Sequence, residues 1–156
     1  MPLRDRISDR GGFYYNNKLF LSPAYQSLTV SARNLLHMLL IEIHWKWKNE
    51  KKVYTSNGDI SFVEADFRGL FGACSQTYVN ARNSLITVGL IRQTYRGGMC
   101  RGDRAMYKVL CIPDVRETEQ RWRKYPERNW EHEIPRARRQ LIGTKTQFQK
   151  GKGGRQ

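Results

Sequence analysis

Between Val30 and Lys48, apolar side chains return at the three- and four-residue spacing of one helical face: Ala32, Leu35, Leu36, Leu39, Ile43 and Trp47, widened by Met38 and Leu40. Thr29 stands just before them, where a hydroxyl can accept a bond from the free amides of a first turn. The pattern predicts the longest helix of the chain, from Val30 to about Lys48, as the backbone of the core. A second helical pattern begins at Ser75, another capping residue, and runs to Val88. Gly89 ends it, because glycine tolerates the left-handed conformation that helix C-termini often need. Tyr78, Ala81, Leu85 and Val88 share one face of this helix, with Thr77 at its edge. Gln76, Val79, Asn80 and Asn83 share the opposite face, with Thr87 nearby.

The stretch between these helices predicts a very short strand at Asp59–Ser61. Ser61-Phe62-Val63-Glu64 then reads as a capping box that starts a helix over about 62–70, stopped by Gly72. Two short helices across a glycine-containing turn are the outline of a helix-turn-helix. Beyond Gly89, residues 90–96 and 105–112 are β-prone runs around a glycine-rich turn, and they predict a hairpin. At the front, Ser22-Pro23 predicts a short helix over 23–27, and residues 13–21 an extended segment against the core. Residues 49–58 read as a polar loop.

Pro113 is expected to close the compact part. Residues 114–125 predict a further helix, with Glu117–Arg121 and Glu119–Arg123 as i,i+4 pairs, Val115 and Trp122 on one side, and Pro126 as its stop. The reading is a mostly helical α+β chain: a flexible arm over 1–12, a domain over 13–113, a helical or linker extension over 114–133, and a basic, disordered tail over 134–156.

Composition sharpens this picture. Of 156 residues, 28 are Lys or Arg and 14 are acidic, a net charge of +14, which points to a polyanionic partner. Nucleic acid is the first candidate and an anionic membrane surface the second. A hydrophobic content of 39% is low and fits a partly solvated chain. Three cysteines without metal-ligand spacing, and no apolar leader, are expected of a cytoplasmic protein. No apolar run is long enough to span a bilayer.

The polar face of the Ser75 helix is uncharged and rich in amides, which can pair with base edges; the alternative is a solvated face of unusual composition. The predicted hairpin carries Arg92, Arg96, Arg101, Arg104 and Lys108 against Asp103 alone. The tail from Ile134 carries seven basic residues and no acidic one. His37 and His44 lack further ligands at metal spacing and read as surface residues. Trp47 is expected to pack, with Lys46 and Lys48 complementing the helix dipole. Glu64 is claimed by the capping box, which leaves Asp59 and Asp66 without a convergent partner. Ser75 has no nearby histidine in sequence, and Cys74 reads as a small buried residue of the turn. No catalytic residue, metal site or cofactor is expected.

The order of long helix, short strand, helix, turn, helix and basic hairpin resembles the winged helix-turn-helix family of DNA-binding domains. The residues that carry the likeness are ISFVEADFRGLFGACSQTYVNARNSLITVGLIRQ and the later AMYKVL, with Thr77, Ala81, Leu85, Gly89, Leu90 and Ile91 in the family's spacing. FLSPAYQSLTVSARNLLHMLL is similar to the opening of small winged-helix proteins of prophages, plasmids and integrated elements. The likeness covers roughly residues 19–112. It implies duplex DNA as partner, with the Ser75–Val88 helix in the major groove. Gln76, Val79, Asn80 and Asn83 would then lie near base edges, and Ser75 with the first-turn amides would hold a phosphate. The wing would bring Arg96, Arg101 and Arg104 to the backbone or minor groove. Where the family often has an arginine this chain has Asn80, so the identity of a base contact stays open. The implied role is transcription control or replication initiation on a bacterial mobile element. A protein-interaction module and an RNA-binding protein are the alternatives, and a homodimer is left open.

Overall fold

The computed structural model describes residues 15–98, 102–114 and 119–136. They form an α+β unit of five α-helices and two antiparallel hairpins. The helices are α1 (Asn17–Phe20), α2 (Pro23–Gln26), α3 (Val30–Ile41), α4 (Glu64–Phe71) and α5 (Ser75–Thr87). The strands are β1 (Trp45–Lys48), β2 (Lys51–Tyr54), β3 (Ile91–Tyr95) and β4 (Met106–Val109), and two 3-10 turns follow at Arg121–Lys124 and Glu131–Glu133. No helix among the described residues is long and apolar enough to cross a membrane.

The caps at the front behave as the sequence predicts. Ser22 accepts from the Tyr25 amide at 3.2 Å with Pro23 in the first turn, and Thr29 accepts from the Ala32 amide at 3.3 Å. The long helix packs its apolar face on α5, so Leu35, Leu36, Leu39 and Leu85 are almost wholly buried. Phe67 of α4 closes the core from the other side. Its ring meets Tyr78 at 5.6 Å and Phe71 at 5.0 Å, and the Tyr78 hydroxyl donates to the Phe62 carbonyl at 2.9 Å.

The predicted hairpin is present as β3–β4, with Ile91 opposite Val109 and a bulge between Gln93 and Tyr95. The expected short strand is reduced to one bridge, in which Ile60 exchanges backbone hydrogen bonds with Tyr107 at 2.8 and 3.3 Å. Asn57 fastens this edge. Its buried amide donates to the Val109 carbonyl at 3.0 Å and to Asp114 at 3.0 Å, and its oxygen accepts from the Val109 amide at 2.8 Å.

Several expectations are corrected. The long helix ends at Ile41, not near Lys48. Ile43 still buries into the core, but the chain then turns into β1, and the expected loop at 49–58 supplies β2. The alternation Trp45-Lys46-Trp47-Lys48 is a strand period, and it prevails because Asn49 and Glu50, at φ 48° and 59°, make a two-residue turn of the left-handed kind that joins twisted strands. Trp47, expected to pack, is 67% exposed. Residues 17–20 form a helical turn capped by Asn16, not an extended segment.

The capping box does not form. Val63 is the N-cap residue of α4, Glu64 pairs with Arg68 at 3.8 Å, and the Ser61 hydroxyl is buried without a partner. The bridge at Ile60 keeps the chain extended past Ser61, which delays the helix. The compact part also continues past Pro113. Trp122 and Trp130 are buried, Arg121 reaches Glu133 at 2.7 Å, and Ile134 packs on the core. In place of the helix expected up to 125, the described part has a 3-10 turn, and Glu119 pairs with Arg121 and Lys124. The arm at 1–12, Arg101, residues 115–118 and the tail beyond Arg136 lie outside the described residues.

Candidate nucleic-acid interface

Helix α5 is the element on which the site is built. Its N-cap residue is Cys74, with Ser75 as the first helical residue, so the Ser75 hydroxyl does not take the capping place expected of it. Cys74 is exposed, not buried in the turn. Its thiol lies 3.2 Å from the Thr77 hydroxyl, and this contact, with the amides of the first turn, holds the thiol below the usual cysteine range. At the other end Gly89 adopts φ 77°. A Cβ there would stand 2.6 Å from the Arg121 Cβ and 3.0 Å from the Trp130 ring, so glycine serves both the turn and the seat of the C-terminal segment.

The two faces of α5 divide as the periodicity predicts. Tyr78, Ala81, Leu85 and Val88 are buried, whereas Ser75, Gln76 and Asn80 are exposed and Val79 and Asn83 are half-buried. The amides on the polar face are ordered by their neighbours. Gln76 Nε2 donates to Asn80 Oδ1 at 2.8 Å, which directs the Asn80 amide nitrogen and the Gln76 oxygen to other partners. Asn83 Oδ1 accepts from Arg82 Nε at 3.2 Å and from the second guanidinium nitrogen at 3.1 Å. The Asn83 oxygen is thus engaged with an arginine.

Arg82 is the residue that sequence reasoning missed. On a helical wheel it falls between the two faces, and only the fold brings it beside the β3–β4 hairpin. Beside it lie the buried hydroxyls of Tyr78 and Tyr107, which burial pushes up and Arg82 pulls back. Arg82, Val79 and Asn83 line one side of an open cleft of about 450 Å³, with Gln93, Arg96, Gly97 and Gly98 of the β3–β4 hairpin on the other. Pro135 and Arg136 close its third side, and the Arg96 guanidinium donates to the Arg136 carbonyl. Arg82, Arg96 and Arg136 thus share one cleft, and no carboxylate lines it among the described residues.

The β3–β4 hairpin holds this geometry through its backbone. Gly97 adopts φ 67°, and a Cβ there would meet the Ala105 amide nitrogen at 2.5 Å, so the two legs cross too closely for any side chain. At the tip, Tyr95 donates to Asp103 at 3.2 Å, and the Gly98 amide donates to the Asp103 carbonyl at 3.1 Å. Arg104 is exposed beside them but does not line the cleft.

The C-terminal segment limits the open part of the polar face. The Trp130 amide donates to the Thr87 carbonyl at 3.1 Å. Tyr125, Glu131 and Ile134 stand across a second depression from Asn80, Asn83, Ser84 and Thr87. The N-terminal half of α5 is left as the accessible part. His37 is exposed and takes a 3.0 Å hydrogen bond with the Tyr15 hydroxyl, and His44 is exposed. Among the described residues no group of three or more His, Cys, Asp or Glu converges as a metal site would require. No family model, curated protein or solved structure matches the chain.

Proposed function

We propose that the chain is a winged helix-turn-helix protein that binds duplex DNA through α5 and the β3–β4 hairpin. The observation that carries this reading is the gathering of Arg82, Arg96 and Arg136 between an amide-bearing helix face and a hairpin, with no carboxylate among the described lining. Three arginines lining one cleft suit phosphate oxygens, which accept from their forked donors. The helix beside them presents Gln76 and Asn80 as an ordered amide pair, a donor next to an acceptor, the pattern that adenine offers in complement in the major groove. α4, the turn at Gly72–Cys74, α5 and the hairpin supply the elements of the motif in order.

In this reading the cleft arginines and the wing position the duplex, and Gln76, Val79 and Asn80 face the bases. Asn83 acts through Arg82. Arg104 and Arg101 add charge at the wing, and Ser75 with the first-turn amides of α5 takes a phosphate. Arg136 stands in the cleft wall, and the further basic residues of the tail follow it in sequence. Control of transcription or initiation of replication on a bacterial mobile element is the setting that the resemblance implies.

The test is a selection of bound sequences from random duplex DNA at physiological salt, followed by Arg82→Ala, Arg96→Ala and Arg136→Ala together. A shared sequence should emerge. The triple variant should bind all duplexes more weakly, with a salt slope lower by up to about 2.7, at about 0.9 for each phosphate no longer neutralised. Selection without a shared sequence, with a salt slope unmoved by the variant, overturns the proposal.

A further inference from the structure

The β1–β2 hairpin takes no part in the cleft described above. Its register places Trp45 opposite Tyr54 and Trp47 opposite Lys52, so one face carries three aromatic rings around a single lysine. The other face carries Lys46 opposite Val53 and Lys48 opposite Lys51. Trp45 is 45% exposed and Trp47 67% exposed, and their rings meet edge-on at 6.1 Å. Lys52 Nζ stands 4.2 Å from the centre of the Trp45 ring and 5.5 Å from that of Tyr54.

Stability of the fold does not account for this composition. An indole left two-thirds in water gives up most of the burial energy it could supply. Like charges placed directly opposite across two strands destabilise the pair, as Lys48 and Lys51 do here. A bound polyanion would relieve that repulsion, and exposed indoles give nucleobases flat surfaces on which to stack. Aromatic platforms on a basic surface are what a single strand binds. A duplex keeps its bases stacked on one another and offers none to Trp47. Next to the aromatic face, Trp45, Lys52 and Tyr54 also wall a cleft of about 270 Å³ with Gln120, Trp122 and Arg123, and the Arg123 guanidinium lies over the Trp122 ring at 4.8 Å.

We propose that the β1–β2 hairpin is a binding site for single-stranded nucleic acid, with bases stacked on the exposed Trp47 and Trp45, Lys52 on the same face meeting the backbone, and Lys46, Lys48 and Lys51 drawing the strand in through their charge from the opposite face. The site does not depend on the duplex-binding reading, because it uses none of the same side chains.

The experiment uses the full chain and a fluorescein-labelled oligothymidylate of about twenty nucleotides, long enough to fill a single-strand groove. Anisotropy is measured beside a duplex of equal length. Trp47→Ala should weaken the oligothymidylate roughly tenfold, within the ~1–3 kcal/mol attributed to one stacked base, and leave the duplex unchanged. Trp47→Phe should recover part of the loss. Replacing Lys46, Lys48 and Lys51 by Gln should lower the single-strand salt slope by about 2, at about 0.7 per phosphate. Intrinsic tryptophan emission should be quenched by the oligonucleotide, less so in Trp47→Ala. Single-strand affinity unmoved by both variants overturns the proposal, and so does an equal loss on the duplex. Binding to vesicles of equal parts phosphatidylcholine and phosphatidylserine that depends on Trp47, with no Trp47-dependent oligothymidylate binding, overturns it in favour of a membrane surface.

Discussion

The two hairpins have strands of similar length and both are basic, yet they are held in opposite ways. The β3–β4 hairpin is rooted in the core: Ile91, Tyr107 and Val109 are buried, Ile60 bridges to its second strand, and Asn57 clamps Val109 from a loop. Its basic side chains are thereby presented from a fixed frame. The β1–β2 hairpin sends only Tyr54 into the core and leaves both tryptophans of β1 in solvent. It depends on its turn and its ladder, and its apolar surface is available to something else. Burial separates a hairpin that is part of the architecture from one that is carried by it.

The largest expected effect tests that contrast directly. Ile91→Ala should cost about 2–5 kcal/mol, the range for removing a large aliphatic side chain from a packed core. Trp47→Ala, a larger truncation, should stay within about 0.5 kcal/mol because its ring is exposed. Urea melts of both variants check this. Equal losses would mean that the two hairpins are rooted alike.

Next in size is the clamp. Asn57→Ala strips a buried amide from both backbone groups of Val109, and each buried group left unpaired costs roughly 1–3 kcal/mol. The loss should appear in the melt and as faster hydrogen exchange along β4, with β1–β2 unaffected. Exchange that accelerates equally in both hairpins would show that they unfold as one unit.

Asn57 also marks where sequence reading stops. Its partners Val109 and Asp114 lie 52 and 57 residues away, and no local pattern signals such a contact. What is legible is what local chemistry decides: the caps at Ser22 and Thr29, the stop at Gly89, the buried face of α5, and the glycine-rich turn of β3–β4. The stretch from Ile43 to Tyr54 misleads because two periods overlap there. Leu39, Ile43 and Trp47 continue a four-residue spacing, while Trp45 to Lys48 alternate, and the left-handed turn at Asn49-Glu50 decides for strands. Ser61 and Glu64 have the right identities for a capping box, but a tertiary bridge at Ile60 overrides them. For the site, the exposed amides Gln76 and Asn80 are legible from periodicity. Arg82 and the entry of Arg136 into the cleft are not, since both depend on where the β3–β4 hairpin and the C-terminal segment come to rest.

A smaller effect sharpens the comparison from the other hairpin. Glu50 sits at φ 59°, where a residue with a side chain loses about 1–2 kcal/mol relative to glycine. Glu50→Gly should slow hydrogen exchange in β1 and β2 and leave the global melt almost unmoved, because this hairpin contributes little to the core. A clear rise in the global midpoint would instead place the hairpin within the cooperative unit.

The measurement that bears most directly on the duplex-binding proposal sets Asn80→Ala beside Arg82→Ala, each titrated with the selected duplex and a scrambled one. Asn80→Ala should lose about 1–3 kcal/mol on the selected duplex and almost nothing on the scrambled one, as expected for a base contact. Arg82→Ala should weaken both by similar factors and lower the salt slope by about 0.9, as expected for a phosphate contact. Two folded variants that leave both affinities and the salt slope unchanged would contradict the account.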